Sequence, residues 1–212
     1  MELFFYAFAA IISIANPLGT LPIFVGLTSD YSKKERRKTA LLTSFNVLVI
    51  FLMSFYLGSY LLDFFGISLN SLRIGGGLII VSSGFALLTG RFNKHKGMDK
   101  ERVKSDIASR ESISLTPLAI PMLAGPGSIS LLIGLHQEYT LWNTHYLIII
   151  AIILVCLVIW GMLSASSVIV KYLGASGINA VSRIIGFIVI AIGIEYISTA
   201  VVNVVLSIIA SV

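Results

Sequence analysis

The sequence LTPLAIPMLAGPGSIS at residues 115–130 places three prolines inside a segment that is otherwise apolar enough to cross a membrane. A proline inside a helix removes one N–H donor and clashes with the carbonyl group four residues earlier. Backbone groups freed inside hydrocarbon need another partner, such as a neighbouring helix, a water molecule or a ligand. The segment therefore predicts a membrane-spanning helix that is broken near its middle.

The rest of the chain is apolar enough to place it in a membrane. Hydrophobic residues make up 57% of it, charged residues make up 12%, and the mean hydropathy is +0.96. A bilayer core of about 30 Å is crossed by about 20 helical residues. Apolar stretches of roughly that length predict six membrane-spanning helices, at residues 3–27, 40–62, 72–90, 113–135, 146–168 and 181–209.

The basic residues between the predicted spans are distributed unevenly. Most Lys and Arg residues fall in the connections after the first, third and fifth spans, and the connection at 136–145 has none. The positive-inside rule predicts that the basic connections are cytoplasmic and that both termini face outward. This distribution explains the net charge of +5 without a nucleic-acid partner.

The first and second halves of the chain repeat the same pattern. Pro17 and Pro126 lie in similar Pro/Gly motifs, and Arg73 and Arg183, at nearly the same offset along the chain, both precede a glycine. All five prolines fall in the first and fourth predicted spans. A repeat with three spans re-enters the membrane from the opposite side. The pattern predicts two inverted three-helix repeats, at 1–90 and 113–212, with broken first and fourth helices and a cytoplasmic linker at 91–112.

The two breaks have the chemistry of a site for a small zwitterion. The N-terminus of a half-helix offers free N–H groups and a partial positive charge, which suit a carboxylate. Carbonyl groups freed by proline suit an ammonium group or a small cation. Small polar residues and glycines line both breaks: Asn16, Thr20, Gly125, Gly127 and Ser128. The alternative is that proline and glycine only bend these helices for packing.

Three charged residues lie in or beside the spans. Glu195 lies deep in the sixth span, where a carboxyl group either relays a proton or forms a structural hydrogen bond. Arg73 and Arg183 begin the third and sixth spans, where arginine either reaches toward the headgroups or closes a gate. The histidines near residue 140 form no helical pair of ligands, so no metal site is predicted.

The motifs Asn16 to Pro22, Thr116 to Ser128 and Ser182 to Gly186 resemble those of the MarC family, and the resemblance covers nearly the whole chain. It implies six spans in the cytoplasmic (inner) membrane of a bacterium or archaeon. It also implies a class of small neutral amino acid transporters that includes an archaeal glycine and alanine permease. The resemblance further implies an amide at the position of Glu195 in many relatives, a departure that weakens a family-wide proton role for this residue. The site residues carried over are Asn16, Pro17, Gly19, Pro22, Pro117, Pro121, Gly125, Pro126 and Gly127.

The sequence thus predicts a secondary transporter of small neutral amino acids such as glycine or alanine, coupled to protons or a monovalent cation. Export of other small metabolites or drugs is the alternative. A membrane-embedded enzyme needs a nucleophile with a base, a metal set or paired carboxylates at one depth, and none is visible. No cofactor is expected. An accessory subunit and an oligomer both stay compatible with the sequence.

Overall fold

The computed structural model describes residues 2–90 and 113–209, and these residues form helices and no strands. The linker predicted at 91–112 lies outside the described residues. Seven helices are numbered here in chain order, and an irregular helical segment, Ser114–Leu123, precedes the fifth. The helices are α1 Glu2–Ala15, α2 Pro17–Leu27, α3 Lys33–Phe65, α4 Leu69–Leu88, α5 Pro126–Glu138, α6 Trp142–Ser164 and α7 Ser166–Ile209.

The helices give five or six candidate spans, against the six predicted. Five stretches are long and apolar enough to cross a membrane: α1 together with α2, then α3, α4, α6, and the part of α7 at Ser176–Ile209. The segment Ser114–Leu123 with α5 gives a sixth when this bent pair counts as one span. The fifth span begins at Trp142, slightly before the predicted start. The sixth begins at Ser176, because Gly174 adopts a φ of 65° and interrupts α7. Glycine takes this left-handed conformation without the steric cost that a Cβ atom would add.

Local signals set the ends of α3. Ser32 and Glu35 form a capping box, in which each side chain accepts a hydrogen bond from the other residue's backbone N–H. At the other end Gly66 is left-handed and stops the helix, and Ser68 caps the start of α4. The result is a tight hairpin between the second and third spans.

The first span is broken at Asn16, as predicted. Asn16 has a φ of 43°, and α2 begins at the next residue, Pro17. Asparagine tolerates the left-handed conformation better than most residues, and proline fits the first position of a helix. Pro22 lies inside α2, which nevertheless continues to Leu27, so this proline does not add a second break.

The fourth span departs from the sequence-based expectation of one break at Pro126. Residues Ser114–Leu123 form a wide, π-type helical segment with extended backbone at Thr116 and Ile120, the residues before Pro117 and Pro121. A proline disfavours helical geometry in the residue before it, which accounts for both positions. This segment and α5 meet at an angle of 65°. The irregular part therefore extends across all three prolines.

Packing of α4 on α7 forms one side of the bundle, while α3 and α1 pack on α6. The bundle has two ends. The Arg73 end holds the α3–α4 and α5–α6 connections, which the contact between Arg73 and Glu138 brings together. The Arg36 end holds the α2–α3 and α6–α7 connections, where Arg36 donates to the Thr28 carbonyl oxygen and to the Ser167 hydroxyl.

Candidate functional site

Asn16 lies in the interior of the protein with one polar group unused. Its side chain is fully buried, and its Oδ1 accepts a hydrogen bond from the Gly19 N–H at 3.3 Å. Its carbonyl oxygen accepts from the Thr20 hydroxyl at 3.4 Å. Among the residues that the structure describes, no group accepts a hydrogen bond from Nδ2. Because an unpaired buried donor costs about 1–3 kcal/mol, this amide is suited to a ligand that accepts a hydrogen bond.

The second break presents the uncapped N-terminus of α5. Gly125 occupies the cap position, and its residue type offers no side chain to cap the first turn. Gly127 and Ser128 are buried, and the Ser128 hydroxyl donates at 3.5 Å to the Leu123 carbonyl oxygen across the bend. Pro126 is exposed and Gly125 is partly exposed. The interior side of this break is therefore formed by Gly127 and Ser128 rather than by the proline.

The two breaks lie beside each other. A Cβ atom built on Gly127 would lie 2.9 Å from Cγ1 of Ile80 and 3.4 Å from Cγ2 of Ile14. Ile14 is close to Asn16 along the chain, so the bend in the fourth span lies near the break in the first. Of the other predicted site residues, Pro17 and Gly19 are buried, and Pro22, Pro117 and Pro121 are partly buried.

This arrangement concentrates positive potential. Each helix N-terminus carries about half an elementary charge. Asn16 itself caps α2 through Oδ1, which leaves Nδ2 and the first turn of α5 as donors without a side-chain partner in the described part of the chain. Donors that converge at a buried helix N-terminus bind anionic groups such as carboxylates.

Arg73 forms a second cluster of polar residues, between α4, α5 and α7. Its guanidinium group lies 2.5 Å from a Glu138 carboxylate oxygen and 5.6 Å from the centre of the Tyr196 ring. The side chain of Arg73 is 5% exposed, and that of Glu138 is 44% exposed. Of the two roles predicted for Arg73, this position argues against a reach toward the headgroups, because a carboxylate and an aromatic ring hold the side chain inside. Within residues 2–90 and 113–209 this is the only ion pair.

Glu195 and Tyr6 lie near this cluster. The electrostatic surroundings of the Tyr6 hydroxyl include Arg73, Glu138 and Glu195. Glu195 is exposed and its Oε1 accepts a hydrogen bond from the Thr199 hydroxyl at 3.5 Å. Glu195 is exposed because the buried face of α7 lies beside it. That face runs through Val189, Gly193, Tyr196 and Ala200.

Arg183 has different surroundings from Arg73. It is exposed near the Arg36 end, where a Cβ atom on Gly90 would lie 4.0 Å from one of its guanidinium nitrogens. The sequence pattern predicted equivalent roles for the two arginines, and the structure places one in an ion pair and the other at the surface.

The histidines near residue 140 are helical rather than scattered in a loop. His136 lies in the last turn of α5 and His145 in the first turn of α6, and their rings stack with centroids 4.8 Å apart. Phe55 of α3 packs edge-on against both. Among the residues that the structure describes, no three His, Cys, Asp or Glu side chains converge as a metal set.

Sequence reasoning missed Glu138 and Tyr196 as functional candidates. The hydropathy pattern assigned Glu138 to a connection, and Tyr196 belongs to no recognisable sequence motif. In the structure the Tyr196 hydroxyl lies 3.2 Å from the Ser130 carbonyl oxygen and 3.4 Å from that of Leu131. Burial and the neighbouring Glu138 carboxylate raise the pKa of Tyr139, which keeps that phenol neutral beside the cluster.

Comparison with known proteins shows relatives over nearly the full length. The chain is 39% identical over 191 residues to a UPF0056 membrane protein of Buchnera aphidicola subsp. Schizaphis graminum, covering 90% of this chain and 88% of the relative. It is 36% identical to the UPF0056 membrane protein YhcE of Escherichia coli K12, in a match that covers 93% of this chain and 91% of the relative. It is 34% identical to the UPF0056 inner membrane protein MarC of Escherichia coli O1:K1, covering 92% of each chain.

No solved structure matches the chain. The model of the family described as MarC family integral membrane protein matches residues 1–205. With up to six candidate spans, two helix breaks and relatives named as inner membrane proteins, the chain belongs to the MarC family of integral membrane proteins.

Proposed function

We propose that this protein is a secondary transporter of small neutral amino acids, such as glycine or alanine, across the cytoplasmic membrane. The observation that carries the proposal is the buried amide of Asn16, whose Nδ2 has no partner among the described residues and lies beside two neighbouring helix breaks. A buried polar group without a hydrogen-bond partner costs free energy, and helix packing alone gives no reason to keep it. A ligand that accepts hydrogen bonds offsets that cost.

The substrate carboxylate binds between Asn16 and the first turn of α5. Nδ2 of Asn16 donates one hydrogen bond, and the N–H groups of Gly127 and Ser128 donate others. The ammonium group faces carbonyl oxygens in the irregular segment Ser114–Leu123, where extended residues interrupt regular helical pairing. The site therefore recognises both charges of a zwitterion.

The packing around the breaks favours a small substrate. A methyl group on Gly127 would already collide with Ile80 at 2.9 Å, and Thr20 is fully buried against the backbone of Asn16. Glycine and alanine fit such surroundings with the least displacement of neighbouring side chains. A bulky side chain would require α4 to move.

The two inverted repeats, residues 1–90 and 113–212 joined by the linker 91–112, belong to this proposal. Its support is a reciprocal contact: Gly77 meets the carbonyl oxygen of Gly193, and Gly84 meets that of Gly186. At an offset of 109 residues, one fewer than the offset that aligns Arg73 with Arg183, Gly77 corresponds to Gly186 and Gly84 corresponds to Gly193, so each contact is the image of the other. A two-fold axis in the membrane plane produces such an exchange. Rocking of one repeat against the other then exposes the site to each side in turn.

The same proposal sets orientation and coupling. The Arg36 end faces the cytoplasm because its connections carry the basic residues, and both termini face outward. Glu195 carries a proton or binds a monovalent cation near Tyr6 and the Arg73 cluster. Glu195 lies on α7, and α7 packs against α4, the helix that carries Arg73.

The test is uptake by purified protein in liposomes. Radiolabelled glycine and alanine should enter saturably, and unlabelled small zwitterions should compete while acetate and methylamine, which each carry one of the two charges, should not. Gly125→Leu should abolish uptake by filling the bend, and Gly161→Leu is the matched control because a Cβ atom at Gly161 meets nothing within 4 Å. Absence of uptake of every small neutral amino acid by folded protein contradicts the proposal.

The alternative is export of other metabolites or drugs. Uptake of a larger apolar compound into inside-out vesicles, with no effect of glycine, would favour that function. A membrane-embedded enzyme or an accessory subunit would transport neither class of compound.

A further inference from the structure

The Arg73–Glu138 pair joins the third span to the end of the fourth. Arg73 belongs to the second turn of α4, and Glu138 is the last residue of α5. Nε of the buried guanidinium has no hydrogen-bond partner in the described part of the chain, and the contacts of Glu138 and Tyr196 with the guanidinium stabilise its charge. Separating α4 from α5 at this end requires breaking the pair.

The opposite end of the bundle has a matching basic and acidic residue, which form no ion pair within residues 2–90 and 113–209. Arg183 is the repeat equivalent of Arg73, and Asp30 follows α2 in the way that Glu138 ends α5. The chain distance from Pro17 to Asp30 is nearly the same as that from Pro126 to Glu138. Both Asp30 and Arg183 are exposed, and Asp30 accepts a hydrogen bond from the Ser29 hydroxyl at 3.4 Å.

Two further contacts distinguish the two ends of the bundle. The ring of Tyr196 lies under the Arg73 guanidinium. In the register that aligns Arg73 with Arg183, the residue of the first repeat that corresponds to Tyr196 is Ala86. Alanine offers no aromatic ring to Arg183. Arg36 ties the Thr28 carbonyl oxygen to Ser167 and so keeps the connection that carries Asp30 beside α7. Asp30 and Arg183 thus belong to the same end of the bundle, and among the described residues they form no ion pair with each other.

We propose that the two arginines act as alternating latches. The Arg73–Glu138 pair closes the Arg73 end in the present conformation, and an Arg183–Asp30 pair closes the Arg36 end when the first pair breaks. The proposal rests on the alternating access of the proposed transporter. It assigns Glu138 and Asp30, two acids outside the substrate site, to the control of which end is open.

The experiment measures opening without any substrate. A reporter cysteine replaces Ser130, which is buried on α5 about 12 Å below Glu138, in a Cys156→Ser background. The reaction rate with a charged maleimide is followed in lipid nanodiscs, where both ends are accessible. Glu138→Gln should raise the labelling rate about fivefold, because loss of the pair favours the conformation open at the Arg73 end.

Asp30→Asn tests the second latch with the opposite expected sign. It removes the partner of Arg183, disfavours closure of the Arg36 end, and should lower the Ser130→Cys labelling rate about fivefold. Exchange of the charges, Asp30→Arg with Arg183→Asp, should restore the original rate. Asp63→Asn is the matched control, since Asp63 is an exposed acid at the Arg73 end that forms no ion pair with any described residue.

The outcomes separate this inference from the transport proposal. An unchanged or raised rate in Asp30→Asn, or failure of the exchanged pair to restore it, overturns the latches whatever the protein transports. If Glu138→Gln fails to fold, the variants at the exposed residues Asp30 and Arg183 still test whether the second pair forms. Opposite shifts in the two variants, together with no amino acid uptake, would support the latches and contradict the substrate.

Discussion

The backbones of Gly77 and Gly193 approach so closely that a Cβ atom on Gly77 would lie 2.9 Å from the Gly193 carbonyl oxygen. The relationship is mutual, because a Cβ atom on Gly193 would lie 2.9 Å from the carbonyl oxygen of Gly77. Small residues at this spacing allow two membrane helices to pack backbone to backbone. This contact fixes α4 on α7, and with it the position of Arg73 over Tyr196.

Gly77→Ala should weaken this packing. The added methyl group meets backbone as well as a side chain, so we expect a loss of about 1–3 kcal/mol and a lower unfolding temperature in detergent. Gly75→Ala is the control, because a Cβ atom there meets nothing within 4 Å and alanine favours the helix. Equal unfolding temperatures for the two variants would contradict the close approach.

Tyr196→Phe should lower the free energy of unfolding by less than Gly77→Ala does, and its effect should arise from contacts at the Arg73 end. The hydroxyl of Tyr196 donates to backbone carbonyl oxygens of α5, and losing one such bond costs about 1 kcal/mol. Tyr60→Phe, at a residue that is 71% exposed, should leave stability unchanged. Thermal unfolding of both variants checks the expectation, and an unaltered Tyr196→Phe would mean that the hydroxyl has no structural role.

Glu195→Gln tests coupling. The substitution keeps the shape and the acceptor for Thr199 but removes the titratable proton. We expect loss of amino acid accumulation driven by a pH gradient, while exchange of labelled for unlabelled substrate without a gradient persists. Each charge that crosses the membrane is worth about 2.3 kcal/mol per 100 mV, so the loss should be large. Full accumulation by the variant would assign Glu195 a structural role.

Cysteine labelling tests the topology. Lys34 and Asn143 are exposed residues at the Arg36 and Arg73 ends, respectively. In a Cys156→Ser background, a cysteine at Asn143 should react with an impermeant thiol reagent added to intact cells, and one at Lys34 should react only after lysis. Labelling of both in intact cells would contradict the proposed orientation.

Local chemistry made the spans and the first break predictable. Apolar runs determine where helices cross a membrane, and Pro17 with Asn16 marks a helix start that needs no distant partner. The extent of the second break was not predictable, because Pro117 and Pro121 distort the segment before them and Pro22 leaves α2 intact.

The Arg73 cluster could not be predicted because its contacts are long-range. Arg73 and Glu138 are 65 residues apart, and no local pattern in one sequence indicates that they meet. Hydropathy windows also end before polar helix turns, which is why His136 and Glu138 were assigned to a connection although α5 includes both. The exposed position of Glu195 follows from the register of α7 against α4, which glycine spacing sets and hydropathy does not.

The most direct test of the transport site is the apparent affinity for glycine of Asn16→Asp in proteoliposomes. Aspartate keeps the oxygen that caps α2 but replaces the unpaired Nδ2 donor with an acceptor, so α2 should start at the same residue. Loss of a hydrogen bond to a charged carboxylate costs about 1.5–3 kcal/mol, and the account predicts an affinity at least about tenfold weaker. Asn143→Ala should leave the affinity unchanged. Glycine uptake by Asn16→Asp with the affinity of the original protein would contradict the account.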